Sequence, residues 1–330
     1  MTPIASHISA YLREYLPRDK GASAQTCESY AQAFQLLFTF ASRRLKMNPS
    51  ALCLEHIDAP LVMDFLHFLE TERKNGARTR NARLVAIKSF MRFLEYRTPA
   101  LLEQIQRILA IPTKRTDERL IHWLTNEEIQ ALLNAPDVRH RDGIRDRAML
   151  HLCFAAGLRV SELVGLPLAA VQLQPIAQVH VHGKGRRERA LPLWREVARD
   201  LRAWMAVRGD ALVPELFLNA RGYSMTRFGF EYVLRKHVQT ASSRCPSLTE
   251  KRISPHSLRH SSAILVLHAT GDIRKVSLWL GHASLQTTEV YLRADPHEKI
   301  DAIENLTPPT LARGRFCAQD KLIASLRGRA

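Results

Sequence analysis

Cysteine is scarce in this chain. The five residues, Cys27, Cys53, Cys153, Cys245 and Cys317, are odd in number and include no C-x-x-C pair. That argues against a disulfide framework and a zinc–thiolate centre, and it fits a reducing, cytoplasmic setting. Long apolar runs are missing too: nothing approaches the roughly 18 residues of a membrane span. The N-terminus lacks the basic-then-apolar profile of a signal peptide, so a soluble protein without a membrane partner is expected. Acidic residues are in deficit, 32 Asp and Glu against 48 Lys and Arg, giving a formal charge of +16. Such a balance asks for a polyanion, and nucleic acid is the commonest one open to a soluble protein. No carboxylate cluster accompanies the histidines of the C-terminal half to hold magnesium. His256 and His260 have the spacing of a zinc-binding H-E-x-x-H, but Ser257 stands where the glutamate belongs. Gly183-Lys184 is followed by Gly185, not by the serine or threonine of a phosphate-cradling P-loop. Metal nucleases and P-loop ATPases are thereby disfavoured, and no cofactor is expected.

With 330 residues, 46% of them hydrophobic, the chain has material for two cores. The expected architecture is mainly α with a small antiparallel β-sheet. The divisions expected are a helical domain over 1–98, a linker over 99–119, and a second domain over 120–330 that ends in a C-terminal tail. In the first part Tyr30, Phe34, Leu37, Phe38 and Ala41 recur at helical spacing. Asp58 caps a second helix with Pro60 in its first turn. A third helix runs from about Arg78 to Tyr96, with Leu84, Ile87, Phe90, Met91 and Leu94 in one sector. Its basic residues Arg78, Arg80, Arg83, Lys88 and Arg92 are candidates for phosphate contacts, which position a protein on DNA without reading sequence. Thr98-Pro99, Ile111-Pro112 and the polar run to Arg119 interrupt the helical pattern, and Leu101–Leu109 is open as a short helix. The second part starts at a capping box, Thr125-Asn126-Glu127-Glu128. Gln178 to His182 alternates as a strand, Gly183-Lys184-Gly185 is a turn, and Arg189 to Leu193 is the return strand.

The chemistry concentrates between Ser254 and Tyr291. A phosphodiester attacked in line gathers negative charge, which planar guanidinium groups meet with two donors each. Arg159 and Arg259 are the candidates, with Glu162 placed at i+3 to orient the first and His256 at i−3 from the second. Tyr291 is a possible nucleophile. With an ordinary pKa near 10, about one tyrosine in a thousand is ionised at pH 7, so it needs a proton acceptor or a cationic pocket. Lys184, on a hairpin turn, suits protonation of a departing oxygen. His256 and His282 suit phosphate hydrogen bonding and proton transfer.

Five stretches carry a resemblance. They are Gly157-Leu158-Arg159-Val160-Ser161-Glu162-Leu163, Gly183-Lys184-Gly185 with the basic residues after it, and Pro255-His256-Ser257-Leu258-Arg259-His260. Leu280-Gly281-His282-Ala283-Ser284 and Thr287-Thr288-Glu289-Val290-Tyr291 complete the series. In order and spacing the chain resembles the tyrosine recombinase (phage integrase) family, including Xer-type recombinases and transposon or integron integrases. The helical first part resembles the family's SAM-like core-binding domain. The resemblance implies that Tyr291 attacks the scissile phosphate to give a 3′-phosphotyrosyl link and a free 5′ hydroxyl. It implies that Arg159 and Arg259 hold the phosphate, that Lys184 is the general acid, that His256 is an acid/base group and that His282 donates to the phosphate, with Glu162 behind them. The bond energy stays in the protein–DNA link, so neither ATP nor metal is required. Double-stranded DNA at a specific recombination site is the implied partner, clamped between the two domains. A tetramer is the implied assembly, of one recombinase or two related ones. Members of the family often dock a C-terminal segment on a neighbour, and Phe316–Leu326 is open either as that segment or as a frayed tail. Arg293, two past the tyrosine, replaces a histidine common in relatives. Two alternatives share the features: a type IB topoisomerase-like relaxing activity, and a DNA-binding regulator without catalysis.

Overall fold

A computed structural model of the chain describes residues 1–116, 121–183, 188–282 and 284–294, with Arg293 and Ala294 described without their side chains. Lys184 and the segment Phe316–Leu326 lie outside the described residues. The chain divides into two compact units, Met1–Glu118 and Arg119–Ala330. The architecture is mainly α-helical with one small antiparallel sheet.

The first unit is helical throughout. α1 (Ile4–Ala10) continues into a π-helical stretch, Tyr11–Asp19, and is followed by α2 (Ala24–Leu45), α3 (Ala59–Thr71), α4 (Ala77–Leu94) and α5 (Leu102–Leu109). Local chemistry starts these helices. Ser23 caps α2 by accepting from Thr26, and Asp58 caps α3 through a 2.8 Å bond from the Leu61 amide. The core is rich in aromatic rings, with Tyr11 against Phe34, Phe90 and Phe93. The segment left open by the sequence is a helix, α5, and its Ile105 and Ile108 are buried in this core together with Ile111.

The basic residues of α4 part company. Arg78 and Arg92 are exposed and Lys88 half-buried. Arg80 is 3% exposed and donates to the Pro112 carbonyl at 3.1 Å, so it is bound into the unit and is not open to a phosphate. The reason is angular: at 100° per residue, position 80 falls inside the apolar sector of Leu84, Ile87 and Met91. Arg83 is half-buried and held on α2 by the Ser29 carbonyl and Gln32.

The second unit holds α6 (Asn126–Leu133), α7 (Arg141–Ala155), α8 (Val160–Val164), α9 (Arg195–Arg208), α10 (Arg227–Ser242), α11 (Pro255–Thr270), α12 (Ile273–Leu280) and α13 (Glu289–Ala294). The capping box at α6 is formed, the Glu128 carboxylate taking the Thr125 amide at 2.8 Å. β1 (Val171–Gln172), β2 (Gln178–His182) and β3 (Glu188–Pro192) make the sheet in the order β1-β2-β3, with Val179 opposite Leu191. Val179, Val181 and Leu191 enter the main core, which also buries α7 and the Trp204 of α9. A smaller core lies between α11, α12 and α13, built from Ala263, Ile264, Leu267, Val276, Leu280 and Tyr291. The four described cysteines are free thiols, and no helix among the described residues is long and apolar enough to cross a membrane.

Candidate active site

Two glycines set the geometry. α7 ends at Gly157, whose φ of +56° is the left-handed conformation that closes a helix. The amide of Leu158 reaches back to the Cys153 carbonyl, and the chain leaves in a new direction, with Arg159 as the residue that starts α8. α12 ends in the same way at Gly281, φ +64°, where the His282 amide returns to the Ser277 carbonyl. Each turn therefore delivers a candidate site residue, Arg159 or His282, just beyond a glycine.

The buried Glu162 carboxylate organises the cations. Its Oε1 accepts from Arg159 Nη1 at 2.8 Å and its Oε2 from the Arg159 amide at 2.9 Å. Arg189, on β3, donates to the same group from Nη2 at 2.8 Å and from Nη1 at 3.3 Å. Arg259 stands 4.0 Å from Oε2. Burial alone would raise the carboxyl pKa, but the hydrogen bonds from Arg189 and Arg159 outweigh it and hold the group ionised below its ordinary range. Three guanidinium groups thus share one negative charge, and the surplus is positive. Arg259 is 3% exposed and fixed by two backbone carbonyls, Gly157 through Nη1 and Leu280 through Nη2 at 2.8 Å. Burial, and then the neighbouring Arg159 charge, lower its pKa to about 10, so it stays protonated at neutral pH.

Tyr291 is only 2% exposed, packed in the smaller core. Its hydroxyl is hydrogen-bonded to Nδ1 of His260 at 3.0 Å. Burial raises the phenol to about 12, while the charges of Arg259 and Arg159 pull in the opposite direction. His282 lies flat beside the phenol, ring centroids 6.3 Å apart and planes 10° from parallel, and its Nδ1 is 2.8 Å from the Thr288 hydroxyl. Burial and the charges of Arg259 and Arg159 press its pKa to about 4. His256, one turn before His260 on α11, is exposed at its edge, with the two rings 6.3 Å apart. Its pKa is lowered by partial burial and by Arg259, Arg159 and Arg227.

Of the residues singled out in the sequence, Arg159, Glu162, His256, Arg259, His282 and Tyr291 come together in this one region, and Lys184 lies outside the described residues. Two further members are Arg189, which the sequence does not single out, and His260, which it offers only as a zinc ligand. Arg189 had a signal in the alternation of the strand, which puts it on the same face as the buried Leu191. His260 had one in its i+4 spacing from His256. Among the described residues no group of three or more His, Cys, Asp or Glu is arranged to hold a metal ion.

Comparison with known proteins agrees with this geometry. The profile of the phage integrase family matches residues 122–298, and that of the phage integrase N-terminal SAM-like domain matches 8–98. A putative integrase/recombinase of Sinorhizobium fredii is 40% identical over 98% of this chain and 97% of its own. A tyrosine recombinase XerC of Pelotomaculum thermopropionicum is 36% identical over 86% of this chain and 92% of its own. Among solved structures, XerH recombinase bound to a palindromic difH substrate superposes with a TM-score of 0.65 at 22% identity, over 90% of this chain and 84% of that one. The Tn1549 transposon integrase in complex with transposon right end DNA gives 0.65 at 17% identity, over 89% and 97%. The chain belongs to the phage integrase family, the tyrosine site-specific recombinases.

Proposed function

We propose that the protein cuts and rejoins double-stranded DNA at a specific recombination site, with Tyr291 as the nucleophile. The observation that carries this reading is the placement of one buried tyrosine hydroxyl against an imidazole, within reach of the charges of two arginines that a single carboxylate orients. Attack by the Tyr291 oxygen on the scissile phosphorus forms a 3′-phosphotyrosyl ester and releases a 5′ oxygen. Arg159 and Arg259 hold the non-bridging oxygens, where charge accumulates in the transition state. His282 donates to the phosphate, His256 moves a proton at the exposed edge of the site, and Lys184 protonates the leaving oxygen. The phosphodiester bond energy is retained in the ester, so rejoining is the same chemistry run backwards with a different 5′ hydroxyl.

In this reading Arg78, Lys88 and Arg92 on α4 meet the phosphate backbone, which the exposure of Arg78 and Arg92 supports. Strand exchange between two sites requires four active tyrosines, and a tetramer of this chain, or of this chain with a related recombinase, meets that requirement. A lambda integrase tetramer bound to a Holliday junction is a structural neighbour. The reducing cytoplasm suits the free thiols.

The test is covalent trapping. A duplex nicked just 3′ of the cleavage point loses the short fragment that carries the freed 5′ hydroxyl, so the protein–DNA ester accumulates. Peptide mapping is expected to find the nucleotide on Tyr291, and Tyr291→Phe is expected to form none. A link through another residue refutes the assignment, and a phenylalanine variant that still cleaves refutes catalysis by this tyrosine.

A further inference from the structure

We propose that His260 is the proton acceptor for Tyr291, a catalytic role at the reacting oxygen itself. The inference rests on the recombinase reading above and adds to it the group that activates the nucleophile.

Nδ1 of His260 is 3.0 Å from the tyrosine hydroxyl, within the distance across which a proton passes directly. His256, the other histidine of α11, has its ring centroid 6.3 Å from that of His260, one helical turn further toward solvent. The groups facing His260 are His256 and Arg259 from its own helix, His282 from the turn after α12, and Tyr291 from α13. Burial, followed by the charges of His256 and Arg259, lowers its pKa to about 4, so at neutral pH the ring is neutral and one nitrogen keeps a lone pair. That nitrogen can accept the phenolic proton.

A base this weak does not ionise the resting phenol, which burial holds at about 12. The balance changes as the reaction proceeds. A phosphodiester brings a negative charge into a pocket of surplus positive charge, which favours the imidazolium. As the Tyr291 oxygen bonds to phosphorus it loses its affinity for the proton altogether. The O–H bond breaks as the O–P bond forms, and the proton passes to Nδ1. On the other side of the phosphorus, the bond to the 5′ oxygen breaks and that oxygen takes a proton from the general acid. In the return step a 5′ hydroxyl attacks, the tyrosine oxygen leaves, and it recovers its proton from His260. No proton is consumed over the cycle.

The experiment compares wild type, His260→Asn and Tyr291→Phe in single-turnover cleavage of nicked DNA. The scissile phosphate carries either its ordinary 5′ bridging oxygen or a 5′ bridging sulfur, which leaves without protonation. Asparagine keeps a hydrogen-bonding amide near the position of Nδ1 but cannot take up a proton. The asparagine variant is expected to lose about 100-fold or more in rate on both substrates. Its rate is expected to climb about tenfold per pH unit above neutrality, as the phenol must ionise unaided, whereas the wild type stays nearly flat. His260→Gln, nearer to histidine in volume, carries the same two readouts if the asparagine variant does not fold. A variant within threefold of wild type reduces His260 to a packing contact, and rescue by sulfur makes it the acid for the leaving group; either result overturns the proposal. A wild-type protein that forms no ester, or a phenylalanine variant that forms one, sinks the recombinase reading instead, so the two failures are distinct.

Discussion

Arg189 shows how much one residue outside the recognised motifs contributes. Its guanidinium gives the buried Glu162 two of its hydrogen bonds, at 2.8 and 3.3 Å, and the same carboxylate holds Arg159. Removing one partner of a buried, paired charge leaves the other uncompensated, which costs more than a surface ion pair contributes. Arg189→Met is therefore expected to lower the stability of the second unit by about 3 kcal/mol. Urea unfolding is the measurement, and an unchanged midpoint would mean that Arg159 alone satisfies the carboxylate. Cleavage is expected to fall as well, since the carboxylate that orients Arg159 loses its second anchor.

At the scale of elements, the turns that close helices do the positioning. Gly281 ends α12 at φ +64°, and a Cβ built there would lie 2.9 Å from Nη1 of Arg189. Gly281→Ala consequently meets two penalties, a left-handed backbone and a crowded guanidinium, together about 1–3 kcal/mol. The expected result is a lowered Tm with a loss of cleavage, because the next residue, His282, must shift; a variant with both unchanged would show that the turn is not needed to hold the histidine. Gly157 ends α7 under the same two constraints, a φ of +56° and a Cβ position only 2.7 Å from Leu280 Cδ2. Element boundaries are legible where the signal is local, as at Asp58 and Thr125. α10 runs to Ser242, with the hydroxyls of Thr240 and Ser242 bonding back to carbonyls four residues earlier. Charge alone groups Arg80 with the candidate phosphate contacts, although its helical angle assigns it to the core.

For the molecule as a whole, pH should act through the histidines. In the folded chain His260 and His282 are held at about 4, against about 6.5 for an unfolded histidine. Between those values the unfolded chain binds more protons, so stability is complete above about pH 6.5 and declines as the pH falls toward 4. Because both rings keep some contact with water, the loss on going from pH 7 to pH 5 is set at about 1 kcal/mol for each. Denaturant midpoints across that range test it. His260→Asn and His282→Asn should each flatten the dependence, and a double variant with an undiminished slope would place the effect elsewhere.

The order of the reactive residue types, the caps that start the helices, the hairpin strands and the excess of positive charge were all determined by the sequence itself. These depend on neighbours a few residues away, or on a simple total. What only the tertiary structure decided is which groups touch. The bond from His260 to Tyr291 spans 31 residues and the one from Arg189 to Glu162 spans 27. Each joins separate elements, and no local spacing encodes such a meeting. It follows from the packing of α11 against α13 and from the approach of β3 to α8, where burial makes every unpaired charge costly and so selects the one arrangement that pairs them.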